Sequence, residues 1–293
     1  MRENTEITAT TKGLCVIGSP ISHSISPAMH NEAIKALGID YVYTAFDIPE
    51  DKIEMAIRSL KILGFAGCNV TMPGKLVAAK IADERTPMVE LCEAANTITF
   101  RDGKICADST DGVGFMLTAR RHGADPVGKR LVVLGAGGAA KAVIAQAALD
   151  GVAQIDIFRR AGEAFRGTEE FADRVMAASD CRIRVIDLAD EQALRESLAG
   201  ACALVNGTSV GMEPHPEGCL IPDASFLHEG LFVCDLVYHP VMTRLLTMAK
   251  ESGCEIATGK SVLLFQGAAS FEQFTGHKMP VDRVIDVVFD GEV

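Results

Sequence analysis

Six residues constrain this chain more than any others. Gly135-Ala136-Gly137-Gly138-Ala139-Ala140 follows the apolar run Arg130–Leu134 directly and opens an alanine-rich stretch with helical spacing. Strand, glycine turn and helix in that order make the first half of a dinucleotide-binding βαβ unit. The first glycine permits the tight turn, and Gly137 lets the backbone approach a pyrophosphate. Ala140 is small enough for close helix–strand packing, and the free N–H groups of the helix start face the phosphate charge. A simple packing turn would use the same residues. The second strand, Gln154–Phe158, supplies the context that the motif requires. Gly135, Ala136, Gly137, Gly138 and Ala139 are therefore the candidate cofactor-binding residues.

The residues after that second strand choose between cofactors. An acid there binds the ribose 2′-hydroxyl of NAD, whereas arginine accommodates the 2′-phosphate of NADP. Arg159 and Arg160 occupy the place. Asp156 lies inside the strand and reads as structural, while Glu163 is a loop acid within range of a ribose. NADP is the expected cofactor, with NAD possible.

Short β-rich runs alternate with longer helical stretches from end to end, which predicts an α/β fold with parallel sheets. At 293 residues the chain is long enough for two domains. Strands are expected at Leu14–Ile17, Tyr41–Phe46, Gly67–Val70, Ala95–Phe100 and Lys104–Ala107, the last two joined by a hairpin turn at Asp102–Gly103. Helices are expected from Pro27 to Leu37, over Ile53–Leu63, after Pro73, and from about Gly112 to His122. Arg130 opens the second domain.

Composition removes several classes of function. A net charge of −11 with only paired arginines provides no basic face for nucleic acid. No apolar run reaches the roughly 18 residues of a membrane span, and the N-terminus is polar rather than signal-like. Nine cysteines lie scattered without Cys-x-x-Cys spacing, as reduced thiols would, and no metal site is expected. A cytoplasmic location follows as an expectation. Cys68 and Cys234 read as buried thiols, and Met72, Met116, Met242 and Met248 as core fillers.

Three polar segments stand out in the first half. In Ser22-His23-Ser24-Ile25-Ser26-Pro27, Ser26 suits an N-cap and Pro27 a first helical position. That leaves Ser24 unexplained; two hydroxyls beside free helix N–H groups would make a neutral carboxylate site. Asn69-Val70-Thr71-Met72-Pro73-Gly74-Lys75 places Lys75 in a first helical turn, where its charge opposes the helix dipole. In Ser109-Thr110-Asp111-Gly112, Asp111 can cap the next helix. A lysine, an aspartate, hydroxyls and amides beside a dinucleotide domain suit hydride transfer with a polyhydroxylated acid.

These segments, with Ile17–Pro27, Ala95-Asn96-Thr97, Asn206-Gly207-Thr208-Ser209-Val210-Gly211-Met212, Asp235-Leu236-Val237-Tyr238 and Gln266-Gly267, resemble the shikimate dehydrogenase family. The resemblance runs from about Gly13 to the C-terminal helix. It implies a substrate-binding α/β domain of residues 1–111, completed by 264–293, and a Rossmann-like NAD(P)-binding domain of residues 112–263. It implies that Ser24 and Ser26 bind a carboxylate, and that Thr71, Lys75, Asn96, Asp111, Tyr238 and Gln266 surround ring hydroxyls. Lys75 with Asp111 would carry the proton chemistry. Gly135 to Ala139, Arg159, Arg160 and Gly259 would line the cofactor.

The implied activity is the reversible reduction of 3-dehydroshikimate to shikimate with NADPH, a step in chorismate and aromatic amino-acid biosynthesis. Many NADP-using members carry Asn-Arg-Thr after the second strand of the cofactor domain, where this chain has Arg159-Arg160-Ala161. The C-terminal half also resembles the quinate/shikimate dehydrogenase branch, which uses NAD. Two alternatives follow: NAD-dependent oxidation of quinate and shikimate, or a ligand-binding regulator with catalysis lost. Retention of both Lys75 and Asp111 counts against the second.

Overall fold

The computed structural model describes residues 7–291. The chain divides into two compact units, one running to Thr110 and resuming at Leu264, the other Asp111–Leu263.

The first unit holds β1 (Lys12–Gly18), α1 (Ser26–Leu37), β2 (Tyr41–Asp47), α2 (Ile53–Ile62), β3 (Gly67–Val70) and α3 (Lys75–Ile81). It continues with β4 (Glu84–Arg85), α4 (Pro87–Cys92), β5 (Thr97–Arg101) and β6 (Lys104–Asp108). The strands form one sheet in the order β2-β1-β3-β5-β6-β4. β1 pairs parallel with β2 and β3, but β5 runs antiparallel to both β3 and β6. The β5–β6 pair is the hairpin expected at Asp102–Gly103, set in an otherwise parallel-rich sheet. Asp102 and Gly103, with φ of 49° and 75°, make a two-residue turn, which can only join antiparallel strands.

The sheet is buried on both faces, as a continuous apolar strand requires. Leu14 and Val16 of β1 point to one side, into a core with Met29 and Ile34 of α1. Cys15 and Ile17 point to the other, against Ile53 and Ile57 of α2 and Ala78 of α3.

Two helix starts differ from expectation. α1 begins at Ser26 itself, with Ile25 before it; the Ser26 N–H is instead met by the Ser24 hydroxyl at 3.4 Å. α3 begins only at Lys75, because Pro73 lies in a turn closed by the Gly74 N–H on the Thr71 carbonyl.

The second unit opens with α5 (Asp111–Arg121), β7 (Arg130–Leu134), α6 (Gly138–Leu149), β8 (Gln154–Arg159), α7 (Glu163–Ala177) and β9 (Arg182–Asp187). It proceeds through α8 (Glu191–Ala199), β10 (Ala203–Asn206), β11 (Phe232–Asp235), α9 (Arg244–Glu251) and β12 (Glu255–Ala257). All six strands pair in parallel, in the order β12-β11-β10-β7-β8-β9. That is the doubly wound order of a Rossmann fold, and its direction reverses between β7 and β10. α6 is apolar nearly all round and correspondingly buried. α10 (Gly259–Thr275) then carries the chain back to the first unit, where α11 (Val281–Val288) ends it. Phe271, Phe274, Val284 and Ile285 from these two helices complete the core around Leu14.

Candidate active site

In the first unit the polar residues converge on Asn96. Its side-chain NH2 donates to Thr110 Oγ1 and to Gln266 Oε1, each at 3.0 Å. Its Oδ1 accepts the Thr110 N–H at 2.8 Å and the Thr97 hydroxyl at 2.9 Å. The Asn96 backbone is fixed as firmly, since its carbonyl accepts from the Val70 N–H and from Asn69 Nδ2. Asn69 is held in turn by the Tyr43 hydroxyl, which donates to its Oδ1 at 2.7 Å. Asn96, Thr110 and Gln266 are all buried. Buried amides and hydroxyls must satisfy one another, so this cluster has one defined arrangement.

Backbone ties gather the other residues around it. The Ala95 N–H donates to the carbonyl of Lys75, which starts α3 half-buried. The Thr71 N–H donates to the Ile17 carbonyl, and the Ser19 N–H to that of Met72. The end of β1 is thereby stitched to the turn bearing Thr71, with Gly18 giving the room: a side chain there would lie 2.4 Å from Thr71 Cγ2. Ser24 follows on the next loop and Ser26 opens α1. Asp111 continues directly from Thr110 as the first residue of α5, inside the helix rather than ahead of it as a cap.

In the second unit the glycine turn lies where β7 ends beside β10. Gly135 has φ of 92°, and a side chain there would meet Thr208 Cγ2 at 2.5 Å. Ala140 is fully buried and faces Gly207, where an added Cβ would come within 2.6 Å of it. Gly137 is different: nothing lies within 4 Å of where its side chain would be. This is an open cradle at the start of a 12-residue helix, α6, and it fits a pyrophosphate.

Arg159 closes β8, one residue beyond the expected strand end, and donates to Thr168 Oγ1 at 2.8 Å; Arg160 is exposed beside it. Asp156 is fully buried under a bidentate Arg184 at 2.8 and 2.7 Å, so it is structural and not a ribose ligand. Glu163 is the first residue of α7. Gly259 backs onto the segment after β11, 2.5 Å from the Val237 carbonyl oxygen in the place of a side chain. Tyr238, on that segment, is partly exposed, and burial raises its phenol pKa.

Some expectations need correction. Met72 and Met242 are exposed, at 61% and 42%, on turns rather than in the core; Met116 is buried. The sequence reading passed over Tyr43, Asn69, Asn206 and Asp235, all buried polar residues. Asn69, Asn206 and Asp235 each sit at a strand end within a motif already singled out, which was the available signal. Tyr43 had none beyond its inward position in β2. All nine cysteines are free thiols. Among the described residues, no helix is long and apolar enough to cross a membrane, and no group of three or more potential metal ligands occurs.

Residues 16–98 match the shikimate dehydrogenase substrate binding domain, and residues 261–289 the shikimate 5′-dehydrogenase C-terminal domain. Shikimate dehydrogenase (NADP(+)) of Listeria monocytogenes is 39% identical over 283 residues, 97% of each chain. A quinate/shikimate dehydrogenase of Escherichia coli is 42% identical over 97% of this chain and 98% of its own. The crystal structure of shikimate 5-dehydrogenase from Listeria monocytogenes with shikimate and NAD superposes with a TM-score of 0.91 at 39% identity, covering 97% of this chain and 98% of that one. With relatives this similar over nearly its whole length, two sheets of the kind just described and a glycine cradle at the strand reversal, the chain belongs to the shikimate dehydrogenase family.

Proposed function

We propose that the protein catalyses the reversible reduction of 3-dehydroshikimate to shikimate with NADPH, in the cytoplasm, as a step toward chorismate and the aromatic amino acids. The observation that carries this reading is the buried Asn96–Thr110–Gln266 cluster, tied through Ala95 to the Lys75 backbone and followed in the chain by Asp111. Fixed amides and hydroxyls of that kind suit a small ring with several hydroxyl groups. Ser24 and Ser26 take its carboxylate, and Thr71, Asn96, Tyr238 and Gln266 its hydroxyls.

The open Gly137 cradle, with Gly135, Ala136, Gly138, Ala139 and Gly259, would hold the dinucleotide, and Arg159 and Arg160 would take the 2′-phosphate. Bound NADPH supplies the hydride that the carbonyl carbon accepts. Lys75 supplies the other half of the reaction: its ammonium gives a proton to the carbonyl oxygen as that oxygen gains charge. Asp111 orients the ammonium and accepts a hydrogen bond from the neighbouring hydroxyl. In the reverse direction Lys75 takes the proton back as the hydride leaves.

A second reading, oxidation of quinate or shikimate with NAD, draws on the Escherichia coli relative's name and on the NAD in the Listeria structure. Initial rates for shikimate and quinate, each with NAD and with NADP, test both. The highest kcat/KM is expected for shikimate with NADP. A higher value for quinate with NAD would favour the second reading, and no turnover in any pairing would leave a ligand-binding protein without catalysis.

A further inference from the structure

Beside the glycine turn lies a buried carboxylate that neither the motifs nor the proposed chemistry explains. Leu134, Asn206 and Asp235 sit in one row across β7, β10 and β11, each the last residue of its strand. Asp235 is fully buried and Asn206 nearly so. Asp235 Oδ1 accepts from Asn206 Nδ2 at 2.9 Å and from the Val237 N–H at 3.0 Å, and Oδ2 accepts from the Thr243 hydroxyl at 2.7 Å. All three partners donate. No cation of the described residues pairs with it, so its charge is opposed only by these dipoles.

A buried carboxylate without a counter-ion is costly, and a fold that needed only packing there would do better with an apolar residue. What the carboxylate provides is acceptance from three donors at once, which an amide or a hydroxyl in that place does not match.

Those three donors lie at the end of β10 and on the loop between β11 and α9. Asn206 passes the restraint to its own loop: its Oδ1 accepts the Thr208 N–H at 3.1 Å and the Thr208 hydroxyl at 2.7 Å, and its Nδ2 reaches the Val210 carbonyl at 3.1 Å. Thr208 is the residue whose methyl group packs on Gly135. The Val237 N–H fixes the residue before Tyr238, and the Val237 carbonyl is the group against which Gly259 packs. Thr243 ends the same loop and caps α9.

We propose that Asp235 is a positioning residue, which through Asn206, Val237 and Thr243 sets the glycine turn's packing partner and the Tyr238 segment in one fixed geometry. Its link to shikimate turnover rests on the function proposed above, whereas its link to nucleotide binding does not. A displacement of about 1 Å in such loops is enough to cost up to about 100-fold in rate.

The test uses Asp235→Asn, Thr243→Val and Thr243→Ser in the full-length protein, with thermal melting recorded for each. NADPH affinity is measured by nucleotide fluorescence without substrate, and KM for shikimate by steady-state rates. Asp235→Asn is expected to weaken NADPH binding and raise KM for shikimate, each by about five-fold or more, in protein that still melts cooperatively. Thr243→Val should move both the same way by less, and Thr243→Ser, which keeps the hydroxyl, should restore them. Loss of active protein alone lowers maximal velocity and leaves both constants unchanged. Should Asp235→Asn fail to fold, the two Thr243 variants decide. NADPH affinity within two-fold of wild type in the folded variants would overturn the proposal, whatever happens to shikimate turnover. Absence of turnover in the wild-type protein would instead count against the proposed function alone.

Discussion

At the scale of single residues, the proposed chemistry turns on Lys75. Its backbone is pinned to Ala95, so its place beside the Asn96 cluster does not depend on its own side chain. Lys75→Ala should therefore leave the fold and the amide cluster intact while removing the proposed proton donor. We expect kcat to fall by about 10²–10⁴-fold, the usual contribution of a positioned acid or base, with KM for shikimate changed modestly. Steady-state rates in both directions check this. A variant with near-normal kcat would reduce Lys75 to a binding charge.

At the scale of elements, contact between α5 and α6 depends on one missing side chain. Gly112, in the first turn of α5, lies where a Cβ would stand 2.3 Å from the Ala142 carbonyl oxygen and 2.4 Å from Gln146 Cβ. Backbone cannot yield as a flexible side chain can. Gly112→Ala is expected to cost about 1–3 kcal/mol of stability, read as a lower denaturant midpoint. The glycine turn and both strands around it were legible in the sequence because turn, period and spacing agree locally. The antiparallel β5 was legible only as half of a hairpin, since its pairing with β3 depends on residues about thirty positions away. The Asn96 cluster was legible residue by residue, yet Tyr43 and Asn69 behind it were not. A buried polar side chain at a strand position looks like any other strand residue until its partner across the sheet is known.

At the scale of the whole molecule, the two units carry buried titrating groups of opposite sign. His30, in the first unit, is fully buried against Tyr43 with no hydrogen-bond partner at either ring nitrogen, and burial lowers its pKa to about 3. The unfolded chain takes up that proton below about pH 6.5 and the fold does not, so this unit loses stability as pH falls from 6.5 toward 3. Asp235, in the second unit, has its pKa raised to about 6 by burial. There the fold keeps a proton that the unfolded chain has released, so stability falls as pH rises from about 4 to 6 and stays lower above. Replacing His30 with Gln should flatten the first dependence. Asp235→Asn should remove the second, worth on the order of 3 kcal/mol at neutral pH. Denaturant melts at pH 4.5 and 7.5 compare the two. A pH dependence unchanged in both variants would contradict the assignment. The discontinuous first unit has a further consequence during synthesis. Phe271, Phe274, Val284 and Phe289, which close the core around Leu14, leave the ribosome after all of Asp111–Leu263. Domains fold as units while the chain emerges, so the nascent sheet waits with one apolar face covered by α1 alone until its last helices arrive. The unit begun first is finished last.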